Sequence, residues 1–108
     1  MKVSIVMGSI SDKEIGNKVV RVLEKFGVSY ELRVISAHRT PYIAKEFAEK
    51  AEGNGTEVIV AIAGKAAHLA GILAGLSPLP VIGIPAKSST MDGLDSLLSV
   101  VQMPKGVP

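Results

Sequence analysis

The sequence has no cysteine and only two histidines. The absence of cysteine excludes disulfides, thiolate nucleophiles, iron–sulfur clusters and zinc sites built on cysteine. The histidines, His38 and His68, have none of the paired spacings that are typical of metal ligands. We therefore expect no metal site.

Aromatic residues and net charge are also scarce. The aromatic residues are two Phe and two Tyr, and the formal net charge of +2 comes from basic residues scattered along the chain. Neither a phosphate-tracking stripe nor a stacking platform is visible, so we expect no nucleic-acid partner. No apolar run approaches the length of a membrane span, and the chain reaches Gly8 and Asp12 too soon for a signal sequence. These features predict a cytoplasmic location without a membrane partner.

The composition is that of a well-packed globular protein. The chain is 47% hydrophobic and 20% charged, with no linker or low-complexity tract along its 108 residues. We expect one domain spanning residues 1–108.

Apolar strand-like runs alternate with stretches of helical periodicity. Strands are predicted at residues 3–7, 30–35, 58–63 and 80–84, and the segments after them carry apolar side chains at helical spacing. Ser11 or Asp12 is predicted to cap the first helix, and Thr40 the second, with Pro41 in its first turn. Because parallel strands need helical crossovers, the order predicts an α/β three-layer sandwich with a parallel sheet, flavodoxin- or Rossmann-like.

In such a sheet, the loops that follow the strands meet at the carboxyl edge, where ligands bind. The four loops are rich in hydrogen-bond donors or small residues and comprise residues 8–12, 36–41, 63–68 and 86–90. The last of them, which includes Lys87 and Ser88, is either a lid or, as we expect by default, a solvated polar loop.

The second loop contains His38 beside Arg39. Histidine exchanges protons near neutral pH, and arginine binds phosphate or carboxylate through a planar fork. In the first loop, serine hydroxyls and free N–H groups suit a phosphate, whereas Asp12 is better suited to ribose hydroxyls. An ordinary turn and helix cap would explain Ser9 and Ser11 equally well.

The third loop combines small residues with two basic ones. Gly64 and Ala66 leave room for a ligand, and Lys65 would add affinity for an anion. On the residues alone, His68 is more readily explained as a satisfied core histidine than as a ligand-binding group.

These segments together resemble the N5-carboxyaminoimidazole ribonucleotide mutase family of purine biosynthesis, also called the catalytic subunit of phosphoribosylaminoimidazole carboxylase. The resemblance covers nearly the whole chain. The strings that carry it are Gly8-Ser9-Ile10-Ser11-Asp12, Ser36-Ala37-His38-Arg39-Thr40-Pro41, Ala66-Ala67-His68-Leu69, Pro80-Val81-Ile82-Gly83-Ile84-Pro85 and the run from Gly93 to Pro104 that contains Asp-Ser-Leu-Leu-Ser-Val-Val-Gln-Met-Pro.

The resemblance implies a transfer of carboxylate from the exocyclic nitrogen of an aminoimidazole ribonucleotide to ring carbon 4, without a cofactor. It implies a homo-octamer with active sites between subunits. It makes His38 the catalytic proton shuttle, and it implies a substrate-binding set of Ser9, Ser11, Asp12, Ser36, Arg39, Gly64, Lys65, Ala66, His68 and Leu69.

The chain departs from the family pattern at two places. In the third loop, Lys65 replaces a glycine and Ala70 replaces a proline. A related class that carboxylates aminoimidazole ribonucleotide directly with carbon dioxide has a basic residue near this place, so direct carboxylation is the alternative activity. The family also continues beyond the position of Pro108 into a further strand and helices, which we expect this chain to lack; a non-catalytic nucleotide-binding fragment is therefore a third possibility.

Overall fold

The computed structural model describes residues 1–107, and its strands and helices alternate as the sequence predicts. A single 3-10 turn, Ile10–Asp12, precedes the first helix. The elements are β1 (Lys2–Met7), α1 (Lys13–Lys25), β2 (Ser29–Val34), α2 (Pro41–Lys50), β3 (Val58–Gly64), α3 (Leu69–Leu76), β4 (Val81–Ala86) and α4 (Leu94–Val101).

All four strands lie parallel in one sheet, in the order β2-β1-β3-β4. The predicted α/β architecture with a parallel sheet is thus confirmed. The fourth strand runs on to Ala86, two residues beyond the predicted end, and includes Pro85. Within residues 1–107, β4 has a partner strand on one side only, and proline is tolerated at such a position.

The two central strands, β1 and β3, are almost continuously apolar and buried. On one face of the sheet, Phe47 of α2 and Leu73 of α3 pack into a core with Val6 and Ile59. On the other face, α1 covers a second core, which contains Ile5, Met7, Val60 and Ile62. Burial on both faces explains why these strands read as unbroken hydrophobic runs.

A buried polar cluster connects β1, β2 and the segment before β3. The Ser4 hydroxyl donates to a Glu31 carboxylate oxygen at 2.7 Å and lies 2.7 Å from the Thr56 hydroxyl. Because Ser4 has one hydroxyl hydrogen and gives it to Glu31, Thr56 is the donor in the second bond. Within residues 1–107, every buried side-chain nitrogen and oxygen has a hydrogen-bond partner.

Helix α1 approaches the sheet closely at Gly16. A Cβ atom at this position would lie 2.7 Å from the Met7 sulfur and 3.4 Å from a Leu32 methyl carbon. The glycine therefore sets how closely α1 packs on the sheet. Every helix within residues 1–107 falls short of the length and hydrophobicity of a membrane span.

Candidate functional site

The four loops that follow the strands line one cleft of about 670 Å³ at the carboxyl edge of the sheet. It brings together the eleven residues singled out from the sequence, namely Ser9, Ser11, Asp12, Ser36, His38, Arg39, Gly64, Lys65, Ala66, His68 and Leu69. The cleft is also lined by residues from the fourth loop, Lys87, Ser88 and Ser89.

The first loop is ordered by its own serines. The Ser9 hydroxyl accepts hydrogen bonds from the Ser11 backbone N–H at 3.3 Å and from the Ser11 hydroxyl at 3.0 Å. Ser9 is therefore the side-chain cap of the 3-10 turn. Asp12 stands at the N-cap position of α1, but its side chain makes no capping hydrogen bond. The predicted N-cap position of Asp12 is confirmed, but the expected side-chain bond is absent, because the serine cap lies one short 3-10 turn earlier.

Burial raises the pKa of Asp12, while a backbone hydrogen bond with Ser9 acts in the opposite direction. Partial removal from water disfavours the charged carboxylate. Since its side chain makes no capping bond, the Asp12 carboxyl group can still accept a hydrogen bond from a ligand.

The second loop is a tight turn built on Ser36. Its hydroxyl accepts from the Arg39 backbone N–H at 3.1 Å, and its carbonyl accepts from the Thr40 backbone N–H at 2.8 Å. The Thr40 hydroxyl also donates to this carbonyl at 2.9 Å, so Thr40 occupies the N-cap position of α2 without capping through its side chain. The predicted N-cap position of Thr40 and the place of Pro41 in the first turn are confirmed, but the Thr40 hydroxyl is turned toward the Ser36 carbonyl and makes no capping bond. The turn leaves the side chains of His38 and Arg39 exposed.

The third loop combines close packing with backbone strain. A Cβ at Gly64 would meet the Ala86 carbonyl oxygen at 3.5 Å. Lys65 has a left-handed backbone with φ of 54°, which is uncommon for a residue other than glycine. Leu69, at the start of α3, is buried and anchors the end of the loop in the core.

The two histidines contact each other across the cleft. His38 Nε2 lies 3.0 Å from His68 Nδ1, and the ring planes are nearly perpendicular, at 88°. A hydrogen bond of this kind needs one ring nitrogen that carries a proton and one that does not. His68 is exposed, so its interpretation as a core histidine was wrong. The sequence did not reveal this contact because it joins two loops 30 residues apart.

The fourth loop contributes residues that were expected to be merely solvated. Lys87 Nζ pairs with Asp92 Oδ1 at 3.1 Å, and the Ser88 hydroxyl donates to both Asp95 carboxylate oxygens at 3.0 Å. Their position after β4 was the available signal, because all four such loops share this edge. No group of three or more His, Cys, Asp or Glu suited to a metal occurs within residues 1–107.

The charges of the cleft favour anions. Of the described residues that line it, Arg39, Lys65 and Lys87 are cationic, and Asp12 is the one acid. Polar hydroxyls, small residues and the histidine pair complete the lining. This arrangement suits a small phosphorylated molecule on which a proton is moved.

Comparisons with known proteins agree on one family. The model of the family "AIRC: AIR carboxylase" matches residues 2–108. The chain is 60% identical over 106 residues to the N5-carboxyaminoimidazole ribonucleotide mutase of Pyrococcus horikoshii, covering 98% of this chain and 60% of that protein. It is 55% identical over 107 residues to the mutase of Saccharolobus solfataricus, covering 99% of this chain and 68% of that protein.

Two further comparisons extend this result. The chain is 51% identical to the phosphoribosylaminoimidazole carboxylase of Candida glabrata, covering 98% of this chain and 19% of that protein. The crystal structure of Treponema denticola PurE superimposes with a TM-score of 0.89 at 30% identity, covering 99% of this chain and 68% of that one. The chain thus spans 60% and 62% of the lengths of the two Pyrococcus mutases it matches.

Proposed function

The chain belongs to the AIR carboxylase family, and from this premise we propose that it converts N5-carboxyaminoimidazole ribonucleotide to 4-carboxyaminoimidazole ribonucleotide in purine biosynthesis. The observation that carries the proposal is the hydrogen-bonded pair of His38 and His68 in a cleft lined with cations. The relatives that match at 55–60% identity are named as this mutase.

In the proposed reaction, the bond between the exocyclic nitrogen and its carboxylate breaks. Carbon dioxide is released, and the nitrogen takes up a proton. Ring carbon 4 then attacks the carbon dioxide, and the proton on that carbon must leave to restore the aromatic ring. The exocyclic nitrogen gains one proton in the first half of the reaction, and ring carbon 4 loses one in the second half. One residue can therefore donate the first proton and accept the second.

His38 is the proposed proton carrier. Its Nε2 faces His68 Nδ1, so the two rings can hold one proton between them. General acid–base catalysis needs a group that changes protonation near the working pH, which histidine provides. The remaining cleft residues would bind and orient the nucleotide.

The proposed binding roles follow from the chemistry of the loops. Ser11 and Arg39 would hold the phosphate, with Ser9 and Ser36 supporting their loops, and Asp12 would accept hydrogen bonds from the ribose hydroxyls. Gly64, Ala66, His68 and Leu69 would line the carboxylate region. Binding of the phosphate, far from the reacting atoms, would fix the ring in position.

We also propose that the protein works as a homo-octamer in the cytoplasm on this small-molecule substrate, without a nucleic-acid or membrane partner. Sedimentation analysis would test the assembly, and a monomer that turns over substrate would contradict it.

Direct carboxylation of aminoimidazole ribonucleotide is the second candidate. Lys65 in the cleft favours it, since the related class that uses carbon dioxide directly has a basic residue near this place. The similarity to the Candida glabrata carboxylase also supports it. The Ala66-Ala67-His68-Leu69 string resembles the mutase class, which is why the mutase reaction comes first.

The experiment offers the purified protein either the carbamate substrate or aminoimidazole ribonucleotide with bicarbonate, with His38→Asn as the blank. Turnover of the carbamate alone is the expected result. Turnover only with bicarbonate would assign direct carboxylation. Binding of the nucleotide by folded protein, with no turnover of either substrate, would overturn both activities and leave a nucleotide-binding module.

A further inference from the structure

We propose that Lys65 selects the carboxylated nucleotide by placing its ammonium group against the carboxylate and not against the phosphate. This inference rests on the proposed function, because it takes aminoimidazole ribonucleotides as the ligands. It goes further in giving one side chain the task of distinguishing ligands that differ by a single carboxylate.

The backbone of Lys65 is the first observation. Its φ of 54° lies in the left-handed region, where a Cβ crowds the neighbouring backbone and glycine is favoured. Within residues 1–107, the other non-glycine residue with positive φ is Asp92, which pairs with Lys87 of the same cleft. A strained conformation persists where the surrounding structure imposes it, and it concentrates at functional sites.

The charge of Lys65 is the second observation. The other lysine in the cleft, Lys87, is paired with Asp92 at 3.1 Å. Across residues 1–107, no carboxylate lies within ion-pairing distance of Lys65. Its ammonium group, with three donors on a flexible stem, is therefore available to an anionic ligand.

The order of the strands is the third observation. Arg39 follows β2 and Lys65 follows β3, with β1 between these two strands. Since neighbouring strands are about 4.8 Å apart, the loops that carry these cations start about 10 Å apart. A ligand with anionic groups at its two ends can therefore place one group at the loop of Arg39 and the other at the loop of Lys65.

The position of the histidine pair is the fourth observation. His38 shares its loop with Arg39, and His68 shares its loop with Lys65, so the bonded rings bridge the space between the cations. In the proposed arrangement, the imidazole ring reacts at His38 while Arg39 holds the phosphate, and the carboxylate lies on the side of His68, in the loop after β3. Lys65 is the cation of that loop.

The test compares two ligands that differ only in the carboxylate: aminoimidazole ribonucleotide and 4-carboxyaminoimidazole ribonucleotide. Their affinities are measured by calorimetry for the unmodified protein, Lys65→Gln, Lys65→Arg and Arg39→Gln. We expect Lys65→Gln to weaken binding of the carboxylated ligand about tenfold or more, as for loss of a hydrogen bond to a charged group. Its affinity for the uncarboxylated ligand should stay within about twofold, because that ligand makes no carboxylate contact.

The other two variants are matched controls. Lys65→Arg keeps the cation and should retain the preference for the carboxylated ligand. Arg39→Gln should weaken both ligands by a similar factor, because both have the phosphate. If Lys65→Gln lowers the thermal unfolding midpoint, Lys65→Asn replaces it, because asparagine tolerates left-handed backbone.

The outcomes separate this inference from the proposed function. If the unmodified protein binds both ligands but Lys65→Gln weakens them equally, Lys65 contacts the phosphate and the inference is overturned. Unchanged binding of both ligands by Lys65→Gln would overturn it too, and in either case the proposed function would stand. If the folded, unmodified protein binds neither ligand, both the proposed function and the inference fail.

Discussion

Truncation of the two histidines should affect turnover very unequally, although their rings are bonded to each other. His38 Nε2 lies 3.0 Å from His68 Nδ1. If His38 itself moves the proton, His38→Asn should lower kcat by the whole contribution of general acid–base catalysis, about 10²- to 10⁴-fold. His68→Ala removes only one hydrogen bond that orients His38, worth about 0.5–1.5 kcal/mol, or about 2- to 13-fold in rate.

The double variant is the sharper measurement. Once His38 has gone, His68 has no ring to orient, so His38→Asn with His68→Ala should be no slower than His38→Asn alone. His68→Asn is the conservative control: it retains a polar group near the position of Nδ1 and should recover part of the rate that His68→Ala loses. The assay is the initial rate of 4-carboxyaminoimidazole ribonucleotide formation at saturating substrate, with thermal unfolding of each variant as the check on folding.

Two results would refute this assignment. A His38→Asn variant that keeps kcat within a few-fold of the unmodified protein would remove His38 from the proton transfer. Rate losses that multiply in the double variant would mean that His68 performs its own chemical step and does not merely position His38.

Three further sets of substitutions test the buried polar cluster, the packing of α1 and the titration of Asp12. Ser4→Ala removes one buried and one partly buried hydrogen bond and should lower the free energy of unfolding in urea by about 1–3 kcal/mol. A change below about 0.5 kcal/mol would contradict the network. Gly16→Ala should destabilise the protein by about 1–2 kcal/mol, because the added Cβ would lie 2.7 Å from the Met7 sulfur. Gly75→Ala is the control: no atom lies within 4 Å of its added Cβ, so the substitution should stabilise the protein by up to about 1 kcal/mol. The reverse order of stabilities would refute the close packing of α1. Because burial raises the pKa of Asp12, the folded state binds this proton more tightly than the unfolded state, so stability falls as pH rises from 3.8 through the raised value. Asp12→Asn should abolish this fall in thermal unfolding while weakening nucleotide binding; an unaltered pH dependence would show that Asp12 is not its source.

The sequence predicted the order of the elements because strands buried on both faces have a strong signature. Val3 to Met7 and Val58 to Ala63 are nearly unbroken apolar runs, as two-sided burial requires. The parallel arrangement followed from the intervening helices, and the shared cleft followed from the parallel arrangement. Gathering of the candidate residues at one edge was therefore predictable from topology alone.

What the sequence did not reveal depends on competition between nearby partners. Thr40 and Asp12 both stand at N-cap positions, but neither side chain caps its helix. The Thr40 hydroxyl is bonded to the Ser36 carbonyl instead. Composition shows which groups can bond but not which acceptor lies nearest, and the contact between His38 and His68 escaped prediction for the same reason.

Polar side chains are bonded to one another at one end of the sheet, whereas at the carboxyl edge they are held at a cost to stability. This contrast indicates that the functional site lies at the carboxyl edge. In the cluster of Ser4, Thr56 and Glu31, the side chains bond to one another, and every buried polar side-chain atom within residues 1–107 has a partner, so the cluster contributes to stability. At the carboxyl edge, Lys65 holds an unfavourable backbone conformation beside a cation-lined cleft, and Asp12 is kept partly out of water with a raised pKa. Neither feature favours folding. Conformations and environments that cost stability persist where residues serve a ligand, so these two residues mark the carboxyl edge as the functional end of the sheet.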